Sequence, residues 1–204
     1  MSAARPFSTH DTAMQVQQAI EDTRHWLLQA VVGLNLCPFA KAVVVKDLVR
    51  YVVCLSSEPS DMLSLLRDEL QHLAQADPQT LDTTLLISPH LWPDFVDFND
   101  FFADADAVLN DLDLVGVLQV ADFHPRYQFA GEAEDDMSHF TNRAPYPTLH
   151  LLRESSIDQA VQAYPDAALI YERNIARLQA LGPEGWQALG IQSRVPHSEP
   201  SRPE

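Results

Sequence analysis

Asp122-Phe-His-Pro-Arg-Tyr-Gln-Phe129 and Thr141-Asn-Arg-Ala-Pro-Tyr-Pro-Thr-Leu-His-Leu-Leu-Arg-Glu154 flank a short acidic loop, and their surroundings decide how the whole chain is read. Immediately upstream, Leu114–Ala121 is almost wholly apolar and contains Gly116, the pattern of a strand covered on both faces and hence central. Within the second block, Thr148–Arg153 alternates. Thr148, His150 and Leu152 fall on one side, and Leu149, Leu151 and Arg153 on the other. Two strands joined by a polar, aromatic, Pro-rich connection anchor a sheet. If the extended conformation continues past Ala121, Asp122 and His124 point the same way, toward the C-terminal strand edge that ligands favour in open α/β sheets.

Outward from this centre, helical and extended periods alternate. Thr12 and Gln15 make a capping box. Val16, Ala19, Ile20, Thr23, Leu27, Ala30 and Val31 then recur at helical spacing, which predicts a helix over 12–32 with Gly33 as a left-handed cap. Pro38 suits the first position of a short helical turn, which would make Cys37 its N-cap. Val43–Val45 and Val49–Leu55 read as two strands with Lys46-Asp47 as a hairpin turn. Met62, Leu66, Leu70 and Leu73 line one face of a helix over 60–76, and Thr83–Ser88 is a short apolar strand. Phe95, Phe98, Phe102, Ala105, Leu109 and Leu112 make the buried stripe of a helix over 94–112. Its acidic opposite side is a solvated face. Ser155 and Asp158 start a helix that Pro165 ends, and a last helix runs from Asp166 until Gly182-Pro183 stops it. The expected fold is therefore a single α/β sandwich over 11–191, built on a mixed, partly parallel sheet of about four to five strands. Residues 1–10 and 192–204 are too polar to order themselves.

Composition narrows the function. Thirteen Lys plus Arg against twenty-nine Asp plus Glu leave a net charge of −16. Such a surface repels phosphate backbones and anionic lipid, which argues against nucleic-acid and membrane partners. Cys37 and Cys54 form no disulfide framework, as expected of a reducing cytoplasm. No apolar run reaches the length of a membrane span.

Between positions 68 and 172 the only cations are Arg126, Arg143 and Arg153, among about twenty carboxylates. An acidic chain that gathers its scarce guanidinium groups near one loop points to a small anionic ligand. Arg143 follows Asn142 and precedes Ala144-Pro145-Tyr146-Pro147, a backbone stiffened by two fixed φ angles that can hold a guanidinium fork against a carboxylate or phosphate. His124 is the candidate acid and base. Cys37 is the candidate pocket thiol or nucleophile, and Tyr127, Tyr146 and His150 are candidate substrate contacts. Each has a structural alternative: an Arg can neutralise a neighbouring acid, His124 can fasten the loop that follows it, and Cys37 and His150 can be packing groups. Asp122, His124 and His150 could be drawn as a two-His, one-carboxylate metal set, and Cys37-Pro38 with Tyr146-Pro147 is similar to thioredoxin-like thiol motifs. No sequence motif calls for a cofactor. The leading expectation is an enzyme acting on a small anionic metabolite. The alternative is a non-catalytic module that binds a metabolite or a protein.

Gly33-Leu-Asn-Leu-Cys-Pro-Phe-Ala40, His124-Pro-Arg-Tyr-Gln-Phe129 and Thr141–Glu154 together resemble a family of bacterial proteins catalogued as a domain of unknown function, number 1415 in that series. The resemblance covers about residues 15–180. It implies a shared site and carries over no reaction, cofactor or fold.

Overall fold

The computed structural model describes residues 9–163 and 169–194. In chain order the elements are α1 (Thr9–Trp26), α2 (Ala40–Val45), β1 (Val49–Val53), α3 (Pro59–Gln75), β2 (Thr83–Ile87), α4 (Phe95–Asp100), α5 (Phe102–Asp111), β3 (Leu118–Phe123), β4 (Thr148–Arg153), α6 (Glu154–Ala163) and α7 (Ile170–Ala188). The four strands form one mixed sheet in the order β1-β2-β4-β3. β1 and β2 are parallel, joined through α3, while β4 runs antiparallel to both β2 and β3. β1, β2 and β3 therefore share one direction, and β4 is inserted among them in reverse.

Strand alternation gives each sheet face its own cover. Leu86, Leu118, Leu149 and Leu151 meet Met62, Leu66, Leu70 and Leu73 of α3 and Phe98, Ala105 and Val108 of α4 and α5. The four α3 side chains are fully buried. At roughly 1.5–3 kcal/mol each they contribute about 6–12 kcal/mol of apolar transfer, far more than an exposed ion pair such as Arg67–Asp111 can. Arg153 closes this layer. It is buried, and its guanidinium donates to the Leu73 and Ala76 carbonyls at the end of α3 and to the Leu81 carbonyl before β2. The other face carries a second core of Trp26, Leu27, Ala30 and Val31 with Leu178 and Trp186 of α7, and a small cluster of Ala19, Ile87 and Tyr146.

Several local expectations are corrected. Val43–Val45 is helical, not a strand, so Lys46-Asp47 makes no hairpin. α2 begins after a turn in which the Ala40 N–H bonds the Cys37 carbonyl. It stops where Asp47 takes φ 56°. Phe39, not Cys37, is its N-cap. The long N-terminal helix ends in a π-helical turn over Leu27–Val32, and Gly33 keeps a right-handed φ of −63°. Gly33 is needed there because a Cβ would overlap the Gln29 carbonyl oxygen; Asn35 supplies the left-handed residue, at φ 51°. The 94–112 helix is broken at Phe101 into α4 and α5, with the Asp94 carboxylate accepting from the Val96 N–H at its start.

β3 starts at Leu118, not Leu114, and lies at the sheet edge, while β4 takes the central place. Gly116, at φ 77°, belongs to the turn before β3. At Gly182 (φ 65°) α7 does leave the helical path, but Pro183 opens a further helical stretch to Ala188. At the N-terminal end, Thr9 and His10 already belong to α1. Arg194, expected in an unordered tail, is bound to Asp22 through two hydrogen bonds of 2.9 and 3.1 Å. Residues 1–8, 164–168 and 195–204, which carry the remaining expectations about the two ends and the Pro165 helix stop, lie outside the described residues.

Candidate functional site

At the C-terminal strand edge the side chains of the expected site are engaged within the protein. Pro145-Tyr146-Pro147 lies across that edge, with the Ser88 N–H bonded to the Pro147 carbonyl. Tyr146 is buried, and its hydroxyl donates to Asp22 Oδ2 at 2.8 Å. Burial and the Asp22 carboxylate raise the Tyr146 pKa.

His124 stands just past β3 and is fully buried. Its Nε2–H donates to the Trp92 carbonyl at 2.9 Å, and its Nδ1 accepts the Arg126 N–H at 3.0 Å. Phe95 and Phe98 pack on the ring. Burial pushes its pKa down to about 4, so near neutral pH it is an uncharged fastener of the loop after it. His139 does the same work farther on, with its ring bonded to the Ala133 carbonyl and the Phe129 N–H.

The proposed anion fork is likewise engaged. Arg143 donates from Nε to the Tyr127 carbonyl (3.2 Å) and from Nη2 to the Glu134 carbonyl (3.4 Å), with its guanidinium 4.4 Å over the Phe140 ring. Asn142 donates to the Asp122 carbonyl at 3.1 Å, and its own carbonyl accepts the His124 N–H. Tyr127 pairs with the Asp122 carboxylate. Burial and that carboxylate push the phenol up to about 12, and burial raises the Asp122 pKa in turn. These side chains hold together an irregular stretch of backbone whose polar groups have no sheet or long helix to pair with.

The open space lies elsewhere, over the sheet face opposite α3. A cavity of about 1120 Å³ is lined by Trp26, Leu27 and Val31 from the first helix and its π-turn, and by Cys37–Ala40 and Val43–Val44. Ser155–Ile157 and Ala160 of α6 complete the wall. The floor is the sheet: Val49 of β1, Thr83 and Leu85 of β2, His150 and Leu152 of β4, and Gln119, Ala121 and Phe123 of β3. Register puts these on one face, because Thr83 opposes Leu152, Leu85 opposes His150, and His150 opposes Ala121. Exposed Ala42, Lys46, Gln79, Ser155 and Gln159 mark the rim. Volume and lining match the apolar, concave sites that take small molecules, which run to about 1,000 Å³.

Of the residues singled out from the sequence, Cys37 and His150 reach this cavity. His124, Asn142, Arg143, Tyr127 and Tyr146 do not line it. The Asp122, His124 and His150 metal set does not form. Asp122 opposes Leu149 and so faces away from His150, and both ring nitrogens of His124 are occupied. Among the described residues no group of three or more His, Cys, Asp or Glu is placed to hold a metal. The thioredoxin-like reading also lacks its turn: no described peptide bond is cis, and Cys37 precedes a six-residue helix with another helix before it.

His150 is the chemically distinctive floor residue. Its Nε2 lies 2.7 Å from Thr83 Oγ1, and that hydroxyl is also 2.6 Å from the Leu151 carbonyl. Among the described residues the ring has no other hydrogen-bond partner. Phe123 tilts against it at 5.9 Å between centroids, and Phe123 in turn meets Trp26 edge-on at 4.9 Å. Burial pushes the His150 pKa down to about 4, so the ring is neutral near pH 7. Thr83, Gln119 and Leu85 carry no sequence signal of a site. They become floor residues only through strand register.

Fold and cavity together define an α/β sandwich with a ligand-sized, largely apolar chamber between one sheet face and its helical cover. The model of the family described as protein of unknown function DUF1415 matches residues 18–188, and the chain belongs to that family. No curated protein and no solved structure matches it. No helix among the described residues is long and apolar enough to cross a membrane.

Proposed function

We propose that this protein binds a small, uncharged, mainly apolar molecule in the chamber over the β1-β2-β4-β3 face. The observation that carries the reading is a cavity of about 1120 Å³ whose floor is apolar except for Thr83, Gln119 and the neutral His150. An anionic metabolite fits this chamber poorly. Lys46 is the cation at its rim, Asp82 is also in the lining, and Asn142 and Arg143 are engaged outside it. A buried anion without a partner is costly. The unpaired Cys37 and Cys54 support a reducing compartment, the cytoplasm.

The test is titration with the uncharged fluorophore N-phenyl-1-naphthylamine, repeated with Ala121→Phe, which fills the floor. Saturable binding by the wild type that the variant loses while melting normally supports the reading. Equal binding by both proteins overturns it.

An enzymatic version of the same site rests on one observation, that Cys37 and His150 line one chamber. It predicts that Cys37 reacts with a small electrophile and that a bound ligand blocks the reaction. A Cys37→Ser protein that turns over its ligand at the wild-type rate would remove the thiol from any such chemistry.

A further inference from the structure

We infer that His150 Nδ1 is a one-sense selector: it admits ligands that bring a hydroxyl or N–H donor and disfavours otherwise equal ligands that bring only acceptors. The inference rests on the binding reading above and names the ligand chemistry of that chamber.

Its basis is proton counting on three atoms. The Thr83 hydroxyl has a single proton. The Leu151 carbonyl, 2.6 Å away, can only accept, so that proton points there. The same oxygen sits 2.7 Å from His150 Nε2, and with its own proton committed it can only accept from that nitrogen. Nε2 must then carry the ring's hydrogen. In a neutral imidazole the other nitrogen is left as a bare lone pair. The ring is held neutral by burial and kept in place by Thr83 on one side and Phe123 on the other. Nδ1 is therefore an acceptor fixed in sense before any ligand arrives. Gln119, opposite Leu152 on the neighbouring strand, has both a donor and an acceptor and cannot impose a sense. A ligand ether oxygen or carboxylate against Nδ1 would set lone pair against lone pair and leave both unpaired, which a buried site penalises.

The probes are n-decanol, its methyl ether and decanoate, each used to displace N-phenyl-1-naphthylamine. The comparison is the alcohol-to-ether affinity ratio in wild type relative to His150→Phe, which removes the acceptor but keeps an apolar ring. A ratio about tenfold higher in wild type is expected, equivalent to about 1.4 kcal/mol, with decanoate weakest. Thr83→Val takes away the acceptor that pins Nε2–H, frees the tautomer and should erase most of the preference; Thr83→Ser should retain it. Equal ratios in wild type and His150→Phe overturn the selector while leaving the chamber's binding role intact. If wild type binds neither dye nor alcohol, the binding reading itself fails. Independently of any ligand, long-range ¹H–¹⁵N correlation of the His150 ring should show the proton on Nε2 and a bare Nδ1. The opposite tautomer refutes the inference.

Discussion

Protonating His124 should destabilise this protein, and the size and pH window of the effect follow from its contacts. In the native state the ring is fully buried, donating to the Trp92 carbonyl and accepting the Arg126 N–H. A second proton on Nδ1 would set two donors face to face in an apolar pocket beside Phe95 and Phe98. The native ring therefore titrates near about 4, against 6.5 for an ordinary histidine. Because the folded value is the lower one, the unfolded chain binds the proton first, and stability falls as pH drops through 6.5 toward 4. At 1.36 kcal/mol per pH step the full loss is roughly 3 kcal/mol, of which about 2 kcal/mol is gone between about pH 7.5 and about pH 5.

His150 has the same sign and adds to the loss, because burial pushes its pKa down to about 4 as well. Asp122 works in the opposite sense at lower pH. Burial raises its folded pKa above 3.8, so acid favours the folded form there. The assay is urea denaturation at the two pH values for wild type and His124→Gln. The variant starts less stable, but its stability should change with pH by about 2 kcal/mol less than that of the wild type. Parallel pH dependences in the two proteins would refute a buried neutral His124.

Three further outcomes are expected. Arg153→Met strands the Leu73, Ala76 and Leu81 carbonyls and should cost about 2–4 kcal/mol in denaturant unfolding; Arg153→Lys should recover part of it, and a neutral Arg153→Met would show that water replaces the guanidinium. Tyr146→Phe should lose about 1 kcal/mol, and none further once Asp22→Ala is present, since the two side chains share one bond; additive losses would deny the pairing. Iodoacetamide should label Cys37, partly exposed on the chamber wall, before Cys54, which is buried and whose thiol pKa burial raises. Mass mapping that finds Cys54 modified first would contradict the packing.

Elements whose signal is local were readable from the chain. The Met62, Leu66, Leu70, Leu73 stripe became α3, and Thr83–Ser88 and Thr148–Arg153 became β2 and β4. The misreadings have physical causes. Val43–Val45 has strand propensity, yet the run is short enough for its surroundings to override it, and Val44 packs into the second core as part of a helix. Leu114–Ala121 is apolar enough for a central strand, but order within a sheet is set by long-range pairing that no window of sequence contains. The same limit hid most of the chamber. His150 could be placed on one strand face, but Thr83 becomes its neighbour only through the β2–β4 register.

The side chains that make the loop conspicuous are engaged with its backbone. Scarcity made Arg143, Asn142 and His124 look functional. A stretch from Asp122 to Pro147 with one short helical turn leaves many backbone groups to satisfy, and polar side chains are how that is done. Rarity of a residue type therefore says little about its role unless its bonds are counted.

Their hydrogen bonds separate three imidazoles of this chain. His124 and His139 each use both ring nitrogens on backbone groups. Neither can accept or donate to a ligand without first releasing a loop, at a cost of a few kcal/mol for two buried hydrogen bonds. His150 bonds one neighbour through one nitrogen, and that neighbour is a hydroxyl whose own proton is already placed. A ring that serves the fold alone has no use for a fixed tautomer with a vacant lone pair at the floor of a cavity. A ring that reads a ligand needs both. On the proposed binding reading, the unused Nδ1, more than the abundance of histidines or the conspicuous loop, is where this protein meets its small molecule.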